Sequence, residues 1–380
     1  MSPTSPATPG RLERLGNFLQ HDPDNATLLR DYAVEASRTG EHHAAAAALA
    51  RLAERGQATL DDHLAWAQAL RRDGRNDEAL QVLGGAERRW PGDPWVAYET
   101  ASCHFADRAF DRAFDALRDP SPQDPAGAEV DALRIRLLHH LGRMDEAAAI
   151  ADRFQASPHP AISRAAVPVW MDLGRFDEAL GHARALAGTV PEGETPPYEA
   201  CEALASQALD QGDPAGAQPW LRAALSVRRD DGRVWVLAGL TSLAIDDTAS
   251  AIDAFERAVA LMPGHAGSHL ALGWAFLATQ RLPEAGAAFA AGADADPSFA
   301  ETHGSLAVLA AMQGRTAEAR ELIRKAQRLD RQSASALWAA HLLDGGDVSQ
   351  VSRLAARVIG RARTQRQSTS PDSSSGRNPS

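Results

Sequence analysis

The sequence is poor in cysteine, in aromatic residues and in positive charge. Only Cys103 and Cys201 occur, and neither belongs to a CxxC pair. A zinc site or a disulfide framework is therefore not expected, and the two thiols read as small buried hydrophobes. Aromatic residues make up 6% of the chain and Tyr occurs 3 times, which argues against extensive β-sheet. The net charge is −11. That excludes a general nucleic-acid binder, because neutralising phosphates needs clustered Lys and Arg. No apolar run approaches the roughly 18 residues of a membrane span. The opening residues, MSPTSPATPG, lack the basic and apolar regions of a signal peptide, so a cytoplasmic protein is expected. Also missing are a glycine-rich phosphate loop after a strand, GxSxG and HExxH.

What is present is a folded composition, 44% hydrophobic and 23% charged, rich in alanine. It is organised by repetition. A phrase recurs as DGRNDEAL at 73–80, LGRMDEAA at 141–148 and LGRFDEAL at 173–180. The alanine after each such turn falls at Ala45, Ala79, Ala113, Ala147, Ala179, Ala217, Ala251, Ala285 and Ala319. The steps are 34 residues except for 32 into Ala179 and 38 out of it, so the register survives end to end.

Each unit reads as helix, turn, helix, turn. In the unit beginning at Ala266, Leu272, Gly273 and Phe276 share one face of the first helix, and Ala285 and Phe289 one face of the second, which ends before Pro297. The unit from Gly232 matches it with Trp235, Ala238, Gly239, Ala251, Phe255, Ala258 and Pro263. A small residue such as Gly239 or Gly273 lets two helices approach. Phe255 or Phe289 is expected to plug the space against the next unit, and the proline stops the helix. One hairpin cannot bury its apolar face alone, so the units should stack. In the turn phrase, Asp177 and Glu178 suit a helix N-terminus and Arg175 is expected to face solvent.

This pattern resembles the tetratricopeptide repeat (TPR) family over roughly residues 11–360. The resemblance implies an all-α, right-handed α-solenoid of about nine TPR helix-turn-helix repeats plus terminal capping helices. We divide the chain into a disordered 1–10, an N-terminal array at 11–193 (a capping helix plus about five repeats), a C-terminal array at 194–363 (about four repeats plus a capping helix pair), and a disordered tail at 364–380. RLERLGNFLQ at 11–20 should be the leading cap, with Leu15, Phe18 and Leu19 inward. ASALWAAHLL and VSQVSRLAARVIGR should form the closing pair, the latter with Leu354, Ala355, Val358 and Ile359 on its dry face. Three departures mark the middle of the chain. RDPSPQDPAG at 118–127 shortens a second helix, Pro168 should kink or delay a first helix, and EGETPP at 192–197 adds residues.

Thirteen histidines invite a metal hypothesis. The adjacent pairs His42–His43 and His139–His140 point to different faces and chelate poorly. His63, His269 and His303 share one position early in a first helix, where packing is the expected role. Acidic clusters such as GADADPSF at 292–299 fall on helix ends, where carboxylates are solvated. Repeats use almost the whole chain, so no enzymatic activity, cofactor or metal is expected.

The variable surface remains. In the TPR family the first helices line a concave face that meets ligands, and the resemblance places particular residues there. In the N-terminal half they include Arg30, Arg38, Gln68, Arg71, Arg72, Tyr98, Arg136, His139 and His140. In the C-terminal half they are Val236, Leu240, Leu243, Leu270, Trp274, Leu277, Val308 and Met312. One end of the groove should be basic and the other apolar, fitting a partner protein segment with both acidic and apolar character. Self-association into a homo-oligomer, and burial of the stripe under a helix of the same chain, stay open beside it. The Lys/Asn/Asn/Lys/Arg carboxylate clamp of TPR co-chaperones is not matched, since Arg30, Val34 and Gln68 stand at its sites. The expected role is a non-catalytic scaffold, adaptor or chaperone. The alternative is a regulatory or substrate-docking subunit of a bacterial enzyme or of a secretion or envelope complex. The Ala- and Arg-rich composition hints at a GC-rich bacterial source.

Overall fold

A computed structural model describes residues 10–117, 126–191 and 193–346, which contain twenty α-helices and no strand. In chain order they are α1 (Arg11–His21), α2 (Ala26–Arg38), α3 (His42–Glu54), α4 (Leu60–Arg72), α5 (Asn76–Arg89), α6 (Pro94–Ala106), α7 (Phe110–Ala116), α8 (Gly127–His140), α9 (Met144–Asp152) and α10 (Pro160–Asp172). There follow α11 (Phe176–Gly188), α12 (Tyr198–Asp210), α13 (Pro214–Val227), α14 (Gly232–Ala244), α15 (Thr248–Leu261), α16 (Ala266–Ala278), α17 (Leu282–Ala295), α18 (Ala300–Met312), α19 (Thr316–Leu329) and α20 (Ala334–Leu343). Even-numbered helices from α2 are the first helices of the repeats and odd-numbered ones from α3 the second. The fold is an α-solenoid type of architecture built from helical hairpins.

The chain divides into two compact units, Met1–Val169 and Trp170–Ser380, with the break inside α10. The division into repeat arrays at 193/194 is a sequence-based one. Within each unit the alanine anchors do what their size demands. All nine, from Ala45 to Ala319, are completely buried. A Cβ on Gly239 would lie 2.4 Å from the Phe255 ring, and one on Gly273 2.4 Å from the Phe289 ring. Each aromatic therefore fills the space against the glycine of its own hairpin, rather than only against the next unit.

The turn phrase has a chemistry that its sequence hides. Arg175 donates from Nε and Nη2 to Glu178 Oε1 at 2.9 and 2.8 Å, spanning the start of α11. Arg75 with Glu78, Arg143 with Glu146, Arg281 with Glu284 and Arg315 with Glu318 repeat the same pair. The arginine is a staple on the second helix, not a free solvent-facing group. Water screens these exposed pairs, so they steady the turn more than they stabilise the fold. The preceding Gly174 sits at φ +72°, in the left-handed region that a tight helix-to-helix turn needs.

The departures also resolve. α7 has seven residues, as the proline-rich stretch after it requires. α10 starts at Pro160 and continues through Pro168, so the helix is not delayed. In the leading cap Leu19 is buried, but Phe18 is 57% exposed and does not face inward. The expected disorder of 1–9 and 364–380, and the final helix with Leu354, Ala355, Val358 and Ile359, lie outside the described residues.

Candidate interaction surface

In the N-terminal unit, three of the five arginines expected to line a basic groove are already neutralised. Arg30 on α2 grips Asp62 on α4 with three hydrogen bonds of 2.9–3.1 Å and reaches the Gln57 carbonyl at 2.9 Å. Arg38 holds Glu35, whose side chain is 4% exposed. Arg71 lies 3.5 Å from Glu99, which also accepts from Gln68 at 2.6 Å. Arg72 and Arg136 are exposed, as is Arg38 beside its carboxylate. The basic half of the groove therefore holds two helix-to-helix ion pairs and one within α2, and Arg72 and Arg136 are in no ion pair among the described residues. A reading of arginines alone missed the buried acids Glu35, Asp62 and Glu99.

Asp62 illustrates the balance. Burial pushes its carboxyl up, but hydrogen bonds from Arg30 and from Thr59 outweigh that and hold it below the usual aspartate range. Thr59 and Asp62 also form a reciprocal capping box at the start of α4. A group with a depressed folded-state pKa stabilises above its unfolded pKa, and that stability is lost as pH falls through the folded value. Asp62→Ala should therefore cost the N-terminal unit about 2 kcal/mol near neutrality, a figure reduced because the Arg30 side chain is 37% exposed. The difference between wild type and variant should shrink as pH drops below about 4, which urea titrations at pH 7 and pH 3 would read.

The C-terminal unit requires a correction. Leu270, Trp274, Leu277 and Val308 are completely buried and do not line an open groove. They belong to one core with Phe255, Phe289 and Ala339, against which Trp338, Leu342 and Leu343 of α20 also pack. Trp274 donates from Nε1 to Ser305 Oγ at 2.9 Å and meets Phe289 edge-on, with Trp338 6.3 Å away. Ser305 in turn donates to Ser335 at 3.2 Å. The closure has a cause in α18. A Cβ on Gly304 would stand 2.7 Å from the Ala336 nitrogen, so α18 and α20 approach to backbone contact. Glu301, 1% exposed, accepts from the Ala334 and Ser335 amides at 2.8 and 3.0 Å and from the Ser335 hydroxyl at 2.6 Å, capping α20. Burial under the chain's own helix is thus the reading that holds for these four residues. The signal was available: the later turns of α16 (Leu270–Leu277) and of α18 (Leu306–Met312) are continuously apolar, which marks a buried helix rather than a groove wall.

Val236, Leu240, Leu243 and Met312 differ, being half-buried at the edge of this core. Arg233, Val236, Leu240 and Leu243 fall at helical spacing on one face of α14, and Ile245 beyond its end is 47% exposed. At the N-terminal end of that face is a charged cluster the sequence did not reveal. Arg233 lies 3.6 Å from Glu202 and 3.5 Å from Asp231, and Arg228 stacks 4.3 Å above the Tyr198 ring. Glu202 holds Arg233 firmly protonated. Burial, in the company of Asp231, Asp172 and Glu199, pushes the Glu202 carboxyl up despite Arg233.

The remaining candidates are structural. His269 and His303 are buried, and each ring donates from Nε2 to a proline carbonyl, Pro263 at 2.8 Å and Pro297 at 2.9 Å. His63 packs edge-on against Trp90, and His140 stacks on Phe110 at 4.6 Å. Cys103 and Cys201 are buried free thiols, both pushed up to about 11 by burial. Among the described residues no three His, Cys, Asp or Glu side chains converge on a metal position, and no helix is long and apolar enough to cross a membrane.

Comparison with known families matches tetratricopeptide-repeat models at residues 64–128, 202–266 and 242–309. No curated protein sequence matches the chain. Among solved structures the chain is similar to MamA, at 22% identity over 43% of this chain and 94% of that one, with a TM-score of 0.37. It is similar to a tetratricopeptide repeat protein from Parabacteroides merdae at 17% identity, covering 62% and 93%, with a TM-score of 0.44. Against the APC/C hetero-tetramer Cut9–Hcn1 the identity is 12%, the coverage 93% and 81%, and the TM-score 0.41. These likenesses concern the fold alone.

Proposed function

The chain belongs to the tetratricopeptide-repeat family, and from that premise we propose that it is a non-catalytic scaffold or adaptor that captures a segment of a partner protein on the face of α14. The supporting observation is the half-buried ridge of Val236, Leu240 and Leu243, headed by the exposed Arg233. The corresponding stretch of α16, with Leu270, Trp274 and Leu277, is sealed in the core. A ridge of this kind, apolar along its length and charged at one end, fits an amphipathic helix or an extended segment. Met312, which is half-buried, and, in the N-terminal unit, Arg38, Arg72 and Arg136, which are exposed, are further expected contact residues. The reading includes a cytoplasmic setting, which the reduced thiols of Cys103 and Cys201 fit.

The test is affinity purification of the tagged full chain and of a Leu240→Asp/Leu243→Asp variant. Both side chains are half-buried, so the variant should retain wild-type helicity by circular dichroism while losing at least about tenfold of the co-purified partner. Undiminished capture by a folded variant overturns the proposal. Trp274 and Leu277 are unsuitable probes, because replacing either damages the core.

A further inference from the structure

The second helix α19 carries a run of cations that have no carboxylate partner among the described residues. Arg320, Arg324, Lys325 (the only lysine in the sequence), Arg328 and, just past the helix, Arg331 are all exposed. Elsewhere arginines such as Arg30, Arg75, Arg143 and Arg281 sit within ion-pairing distance of a carboxylate. None of the five on or after α19 does so among the described residues, and Glu318 is held by Arg315. Glu321 offsets one charge. At 100° per residue, Arg320, Arg324, Gln327 and Arg328 fall within a single arc of the helix. Arg324, Gln327, Arg328 and Arg331 line an open recess of about 510 Å³ whose side-chain polar groups are nearly all hydrogen-bond donors. Favourable contact with the negative end of the helix accounts for cations in the last turn, but not for Arg324 and Arg320, one and two turns before Arg328.

We propose that this face of α19 is a docking surface for an acidic protein segment, in which carboxylates spaced one helical turn apart meet the guanidiniums of Arg324 and Arg328. The inference rests on the interaction-scaffold reading and adds a second surface, of opposite chemistry to the α14 ridge. Charge complementarity selects the occupant. Guanidinium forks pair bidentately with carboxylates, and a chain of net charge −11 repels an extended polyanion such as a nucleic acid at long range while admitting a short acidic segment locally. The bound segment need not enter the groove of the first helices, where Arg30, Arg38 and Arg71 already hold Asp62, Glu35 and Glu99.

Fluorescence anisotropy on the full chain tests this with a labelled helical peptide bearing Glu pairs at i and i+4, and with a single-stranded oligonucleotide of equal charge. Binding of the peptide at low salt is expected, falling as salt rises. Arg324→Glu/Arg328→Glu/Arg331→Glu should weaken it about tenfold or more, and the milder substitution of all three by Gln should weaken it less. Arg72→Glu/Arg136→Glu, in the other unit, should leave it unchanged. No peptide binding, an equal loss in the Arg72/Arg136 variant, or tighter binding of the oligonucleotide overturns the proposal. Leu240→Asp/Leu243→Asp should not affect the peptide, so failure here and failure of the α14 ridge are separately visible.

Discussion

Trp274→Ala should lower the stability of the C-terminal unit by about 3–5 kcal/mol, the range for removing a large aromatic from a packed core. The indole is wholly buried, lies against Phe289 and Trp338, and uses its only donor on Ser305. Its removal opens a void at the place where α16, α18 and α20 meet, and it leaves Ser305 to rearrange. Urea unfolding followed by circular dichroism would show a loss confined to the unit from Trp170 onward. If Trp274 instead stood at the surface of a binding groove, the same variant would fold normally and cost well under about 1 kcal/mol.

Glu301→Ala should be nearly as damaging, at about 2–4 kcal/mol, because it strips three donors at the start of α20 of their acceptor. The amides of Ala334 and Ser335 would be left without their partner in a buried place. α20 should then loosen from α18, and Trp338, half-buried in the native chain, should show red-shifted fluorescence. Glu301→Gln keeps one acceptor oxygen and should recover part of the loss. An unshifted tryptophan spectrum and an unchanged urea midpoint in Glu301→Ala would contradict this account of how α20 is held.

These two residues also show what was legible in the sequence. The helical hairpins, their period and the anchor alanines could be read directly, because a helix-to-helix contact admits only a small side chain and repeats that demand in every unit. That Gly239 and Gly273 let helices approach was legible for the same reason, but not that Phe255 and Phe289 pack against the glycine of their own hairpin. The binding face was not. Inward positions of a first helix face a groove only while nothing else packs there, and whether α20 occupies that space depends on Gly304 and Glu301, whose roles are long-range. The arginines of the N-terminal unit misled in a related way. Their charge was visible, but Asp62 and Glu99 become partners of Arg30 and Arg71 only through how helices pack, while Glu35 lies one turn before Arg38 in α2 itself. In the turn phrase, the sequence alone does not show that Arg175 is tied down, because its bond to Glu178 forms only once α11 begins.

The central claim is that the surviving apolar ridge on α14, and not the sealed stripe on α16 and α18, captures a partner. Quantitative affinity purification of wild type and Leu240→Asp/Leu243→Asp, each verified as folded, tests it most directly. The account predicts wild-type helicity with a loss of at least about tenfold in captured partner. Equal capture by the two proteins would contradict it.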